Sequence, residues 1–143
     1  MNYIKLFCTR AMMTGETDGR VTVFDAWENY DMLNGFFCSI DKSYMRPKEE
    51  YFDGFDQSTW KDYVILEDGK IVARAAVWMY SEEAWEVAGV HTLPAYRRRG
   101  YGEAVVRFCT AEIVRRGRKA TCTTGEDTAA MINTAKAVGF QQI

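Results

Sequence analysis

Two β-rich runs, "YVILE" (63–67) and "KIVARAAVWMY" (70–80), meet at Asp68-Gly69, and no other feature constrains the fold as much. Asp-Gly tolerates the positive φ angles of a tight hairpin turn, so the two runs are expected to pair antiparallel in a fixed register. In the second run Ile71, Ala73, Ala75, Val77 and Met79 share one face, while Val72, Arg74, Ala76, Trp78 and Tyr80 share the other. "SEEA" then reads as a turn and "WEVAGVHT" (85–92) as a third strand, which completes an antiparallel meander.

After Pro94 the apolar period changes from two to that of a helix. Val105, Phe108, Cys109 and Ile113 fall on one helical face, Glu103/Arg107 and Glu112/Arg116 form i,i+4 pairs outside it, and Gly117 ends the helix. "KATCTT" is a short buried strand reached by a helical crossover, hence parallel to its neighbour. A last helix runs from Asp127 or Thr128 to Val138, with Gly139 as its left-handed cap and Phe140 as the hydrophobic contact. The first sixty residues are less regular. "NYIKLF" has the look of a strand, 24–45 shows helical spacing of Trp27, Tyr30, Leu33, Phe36 and Phe37, and "RPKEEYFDGFDQSTW" reads as a loop. The pattern predicts one mixed α/β (α+β) domain over 1–143, with a mostly antiparallel central sheet flanked by helices and one parallel β-α-β crossover.

Composition excludes several classes. No run of eighteen apolar residues exists to span a membrane. The four cysteines, Cys8, Cys38, Cys109 and Cys122, include no C-x-x-C pair, which fits free thiols in a reducing cytoplasm. His91 is the only histidine, so metal sites built on several imidazoles are ruled out and no metal is expected. The net charge is −2, but residues 97–119 carry eight Lys/Arg against two acids, a local +6 that leaves −8 elsewhere. One region is therefore suited to an anion. Overall acidity, and the lack of aromatics interleaved with the basic run, argue against a nucleic-acid surface.

The basic run begins "RRRGYG", between the third strand and the helix. A helix N-terminus leaves backbone N–H groups without partners and carries partial positive charge, while glycines allow close approach of a diphosphate. The stretch is thus a phosphate cradle. It lacks the third glycine of the dinucleotide G-x-G-x-x-G and the lysine and hydroxyl of a P-loop.

Strand, then T-x-P-x-Y-R-x-x-G-x-G, then an amphipathic helix resembles the acetyl-coenzyme A motif of the GNAT superfamily of N-acetyltransferases. Arg97, Gly100 and Gly102 match its (Q/R)-x-x-G-x-(G/A) signature, and "AKAVGF" (135–140) is similar to the end of its following helix. The resemblance covers residues 63–143. It implies a sheet splayed after the third strand, where backbone of Val90, His91 and Thr92 would hold the pantetheine arm of acetyl-coenzyme A. The pyrophosphate would then sit on amides of Arg98, Arg99, Gly100, Tyr101, Gly102 and Glu103, beside Arg97. It also implies direct attack of an amine on the thioester, with the amide of Val90 as oxyanion donor and Cys122 only a minor nucleophile candidate.

Glu86 is the first candidate for the base. Strict alternation would place Glu86, Ala88, Val90 and Thr92 on one face, and Glu86 lies eleven residues before Arg97, a spacing similar to that of the glutamate in the histone-acetylating branch. His91, which titrates near neutrality, is the second candidate and by the same alternation points to the opposite face. Ala135 stands where many members carry the tyrosine that protonates the thiolate, and Thr128 where an asparagine is common, which leaves the general acid to Tyr101 or a water. The sequence also reads as C-terminally abbreviated, since it stops three residues after Gly-Phe. The open sheet edge is to be completed either by "NYIKLF" or by a second subunit in a homodimer. The resemblance thus implies a cytoplasmic N-acetyltransferase acting on a small-molecule or peptide amine, the alternative being a non-catalytic acyl-coenzyme A sensor.

Overall fold

The computed structural model describes residues 2–143. Seven strands make one sheet: β1 (Tyr3–Cys8), β2 (Val21–Phe24), β3 (Trp60–Glu67), β4 (Lys70–Trp78), β5 (Ala84–Thr92), β6 (Lys119–Gly125) and β7 (Gln141–Gln142). Their spatial order is β2-β3-β4-β5-β6-β1-β7, and every neighbouring pair is antiparallel except β5–β6. The expected meander is β3–β4–β5. Its first turn has Asp68 at φ 51° and Gly69 at φ 75°, the mirror-image turn that matches strand twist.

Helix α1 (Tyr30–Ile40) packs on one face of the sheet, and the single turn α2 (Lys48–Tyr51) follows it. Helix α3 (Tyr101–Arg115) covers the opposite face, where Phe108 meets Tyr63 of β3, and α4 (Ala129–Val138) packs beside it. β4 is central and its apolar residues are buried on both sides, which is why its run is almost continuously hydrophobic. The expected i,i+4 pairs are present on α3, Glu103–Arg107 at 3.0 Å and Glu112–Arg116 at 2.7 Å.

Three features differ from the sequence expectation. β2 is an extra edge strand, since four residues with Thr22 and Val23 exposed give little alternation to recognise. The stretch 46–60 is not plain loop, because it holds α2 and a 3₁₀ turn at Gln57–Thr59. Finally, β1 pairs with β6 over six residues, Tyr3 with Gly125 through Cys8 with Ala120. Of the two expected ways to complete that edge, "NYIKLF" rather than a second subunit takes the place beside β6, burying Leu6 and Cys8 completely, and β7 pairs in turn with β1.

The loop after β1 is fastened over the end of α4. Thr14 donates its amide to the Val138 carbonyl (2.9 Å) and its hydroxyl to that of Ala137 (2.6 Å), satisfying carbonyls a helix C-terminus leaves open. Arg107 of α3 donates Nε to the Thr14 carbonyl at 2.7 Å. Gly139 has φ 123°, and a Cβ there would overlap the Met12 carbonyl, so only glycine lets the loop pass.

Candidate active site

β5 and β6 pair only from Ala84–Lys119 to Glu86–Thr121 and then diverge. On its other side β5 bulges: Ala88 pairs with Ala76 and His91 with Arg74, so Gly89 and Val90 have no partner in either ladder. Gly89 takes φ 60°, and its carbonyl accepts from Arg74 Nη1 at 3.0 Å. His91 Nδ1 lies 3.0 Å from that same oxygen. Arg74 is 3% exposed; its Nε and Nη2 donate to Asp62 Oδ1 of β3 at 2.9 and 2.6 Å. A buried ion pair thus pins the bulge from beneath.

The extra residue reverses the faces beyond it. Trp78, Ala76 and Arg74 share the α1 face of β4, and their partners are Glu86, Ala88 and His91. His91 therefore lies on the same face as Glu86, whereas strict alternation placed it opposite; Thr92, paired with Ala73, lies on the other face. His91 packs against Phe37 and Tyr44, with ring centroids at 5.6 and 6.5 Å. Burial holds its pKa below the ordinary 6.5, outweighing the hydrogen bond to Gly89. A carbonyl can only accept, so Nδ1 carries the proton of the neutral ring and Nε2 is left with a free lone pair.

At the mouth of the splay opens a cleft of about 590 Å³. Nine of the ten residues expected to hold the cofactor line it, the exception being Arg99. Arg99 instead places its guanidinium 5.4 Å from the ring of Tyr96. After the 3₁₀ turn Pro94–Tyr96 the chain reverses through left-handed backbone at Arg98 (φ 64°) and Gly100 (φ 82°), and α3 begins at Tyr101. Arg98 holds that conformation without being glycine, a strain of about 1–2 kcal/mol characteristic of functional turns. Arg97 anchors its Nε on the Thr92 carbonyl at 3.2 Å and is otherwise exposed.

The other wall comes from α4, through Thr128, Ala130, Met131 and Thr134. Of these only Thr128 was noticed in the sequence; the spacing of three from 128 through 131 to 134 was the available signal. Ala135 is fully buried and does not line the cleft. Tyr101 lines it, but its hydroxyl donates to Glu67 across the β3–β4 hairpin, and this bond raises its pKa. That geometry removes Tyr101 as a proton donor. Cys122 is 2% exposed, and burial pushes its thiol up to about 12, so it is no nucleophile near neutrality. Glu86 sits outside the cleft lining, at the last position where β5 pairs with β6, and its Oε1 accepts from the Thr123 hydroxyl at 3.1 Å. No cluster of metal-ligating side chains is found among the described residues, and no helix among them is long and apolar enough to cross a membrane.

A model of the acetyltransferase (GNAT) family matches residues 26–140. No curated relative matches the sequence. Among solved structures, one from Novosphingobium aromaticivorans DSM 12444, described as an acetyltransferase of the GNAT family, superposes with a TM-score of 0.76 at 19% identity, over 99% of this chain and 59% of its own. A GCN5-related N-acetyltransferase from Kribbella flavida gives 0.65 at 25% identity, over 97% and 53%. The ribosomal-protein-S18-alanine N-acetyltransferase of Escherichia coli gives 0.67 at 16% identity, over 86% and 77%. This chain thus spans a little over half the length of the first two.

Proposed function

The chain belongs to the GNAT acetyltransferase family, and from that premise we propose that it moves the acetyl group of acetyl-coenzyme A to a primary amine of a small molecule or peptide by direct attack. One observation carries this reading: Gly89 and Val90 lack ladder partners beyond the point where β5 leaves β6, and Val90 opens onto a cleft whose far end is the N-terminus of α3.

The residues fit the cofactor. A Cβ on Gly102 would meet nothing nearer than the Thr92 hydroxyl at 3.5 Å, so the first turn of α3 is open to an approaching phosphate. Amides from Arg98 to Glu103 are the pyrophosphate donors, Arg97 and Arg98 add charge, and the backbone of Val90 to Thr92 is the edge for the pantetheine arm. When bound, acetyl-coenzyme A supplies a thioester carbonyl that an amine can attack.

The protein must make the amine neutral, although free ammonium has a pKa of about 10. Glu86 attracts the ammonium at the mouth of the splay. His91, neutral at pH 7 with Nε2 unprotonated, takes the proton, and the Val90 amide holds negative charge on the carbonyl oxygen. Ala135 and Tyr101 supply no proton to the leaving thiol; Tyr96 is the other phenol lining the cleft. The acidic balance outside 97–119 favours a cationic acceptor.

Thiol release from acetyl-coenzyme A with a panel of small and peptide amines tests the proposal. Turnover is expected to fall about 100-fold in His91→Gln and about tenfold in Glu86→Gln. The burial of Ala135 favours a second reading, a binding module without turnover, and calorimetric binding with no release by any amine would establish that reading. Absence of binding removes both.

A further inference from the structure

On the α1 face of the sheet, two strands away from β5, lies a second cavity of about 570 Å³ that the acetyl-transfer reading does not use. One wall is a continuous series of rings. Trp27 meets Phe52 at 5.1 Å, Phe52 meets Phe55 at 5.8 Å, and Phe55 meets Trp60 at 5.2 Å. The floor is Asp62, 4% exposed. Its Oδ1 takes all three of its donors, Arg74 Nε and Nη2 and, at 3.3 Å, Trp60 Nε1. Oδ2 accepts from no described residue and is not fully buried, so it is the oxygen that this otherwise buried side chain leaves to the cavity. At the rim Asp25 is exposed and engages only one carboxylate oxygen, with the Glu28 amide.

We propose that this pocket binds a small organic ammonium ion that keeps at least one N–H. Aromatic faces attract cations through their quadrupole, and a carboxylate oxygen at a pocket floor with no donor from the protein accepts readily from a charged N–H. An anion would meet two carboxylates; a neutral apolar guest would leave Asp62 Oδ2 unsatisfied. The protein already uses this wall for a cation, since the Lys48 ammonium stands 4.0 Å over the Trp27 ring. Lys61, the one cation lining the pocket, is exposed and pairs with Val77, whose face is that of α3, so its charge lies away from the floor.

The proposal stands independently of the acetyltransferase reading. Its test is titration with benzylammonium, followed by tryptophan fluorescence and calorimetry, with benzyl alcohol as the neutral control. The ammonium is expected to bind at least about tenfold more tightly than the alcohol. Phe55→Leu and Asp25→Asn are each expected to weaken it about three- to tenfold. Asp25 is exposed, so that variant keeps its fold, and Glu126→Gln, exposed at the end of β6, should leave the affinity unchanged. Equal binding of the alcohol, indifference to both Phe55→Leu and Asp25→Asn, or an equal loss in Glu126→Gln each overturns the proposal.

Discussion

Gly89→Ala tests whether the bulge in β5 organises the site. Gly89 has φ 60°, a conformation costing an alanine about 1–2 kcal/mol. The new Cβ would also overlap Arg74 Nη1 and lie 3.1 Å from Cζ, and Arg74 is held on its other side by Asp62. Moving the guanidinium sacrifices its bond to the Gly89 carbonyl, about 1.5–3 kcal/mol for a charged donor. The two together come to about 2.5–5 kcal/mol, a fifth or more of a typical domain's stability in most cases. At about 3 °C per kcal/mol for this size, thermal unfolding monitored by circular dichroism should fall by about 8–15 °C. If the chain escapes by straightening the bulge, the loss appears instead as affinity for acetyl-coenzyme A, because Val90 then pairs within the ladder. A variant within about 3 °C of the parent and unchanged in calorimetric affinity refutes the argument.

Gly102→Glu isolates the opposite role for a glycine. No steric conflict awaits a Cβ there and a carboxylate suits the first turn of a helix, so the melting temperature should stay within about 2 °C, whereas the affinity for acetyl-coenzyme A should drop at least about tenfold as the new charge repels the phosphates. For His91 the expectation concerns pH. The unfolded chain takes up this proton near pH 6.5 and the folded protein only at lower pH, so the residue costs stability progressively as pH falls below about 6.5 and nothing above it. The acid limb of kcat/KM should accordingly lie below pH 6.5 and disappear in His91→Gln; a limb that persists in that variant would show another group to be the base.

Much of the backbone between β3 and α4 was legible because it is local. Asp68-Gly69, the change of period after Pro94, and the glycines at 100, 117 and 139 each act within a few residues, through φ angles that neighbouring side chains cannot alter. The α1 face of β5 was not legible. Counting by twos along "WEVAGVHT" put His91 on the wrong face because a bulge adds one residue whose effect passes to every position after it. Gly89 was the only local sign. Asp62 and Arg74 are twelve residues apart and meet only once the β3–β4 register sets Asp62 against Ala76 and Val64 against Arg74, making them diagonal neighbours. A lone arginine inside "IVARAAVW" hinted at a buried partner without saying which.

The chain alone therefore determined the hairpin, the turn before α3 and the order of elements from β3 to α4, since those depend on turn chemistry and on periods that neighbouring residues impose on one another. Tertiary structure decided the bulge, its ion-paired anchor, and the placing of "NYIKLF" beside β6. Those outcomes depend on which strand edge stands open and on what must be desolvated together, and both are properties of the assembled sheet.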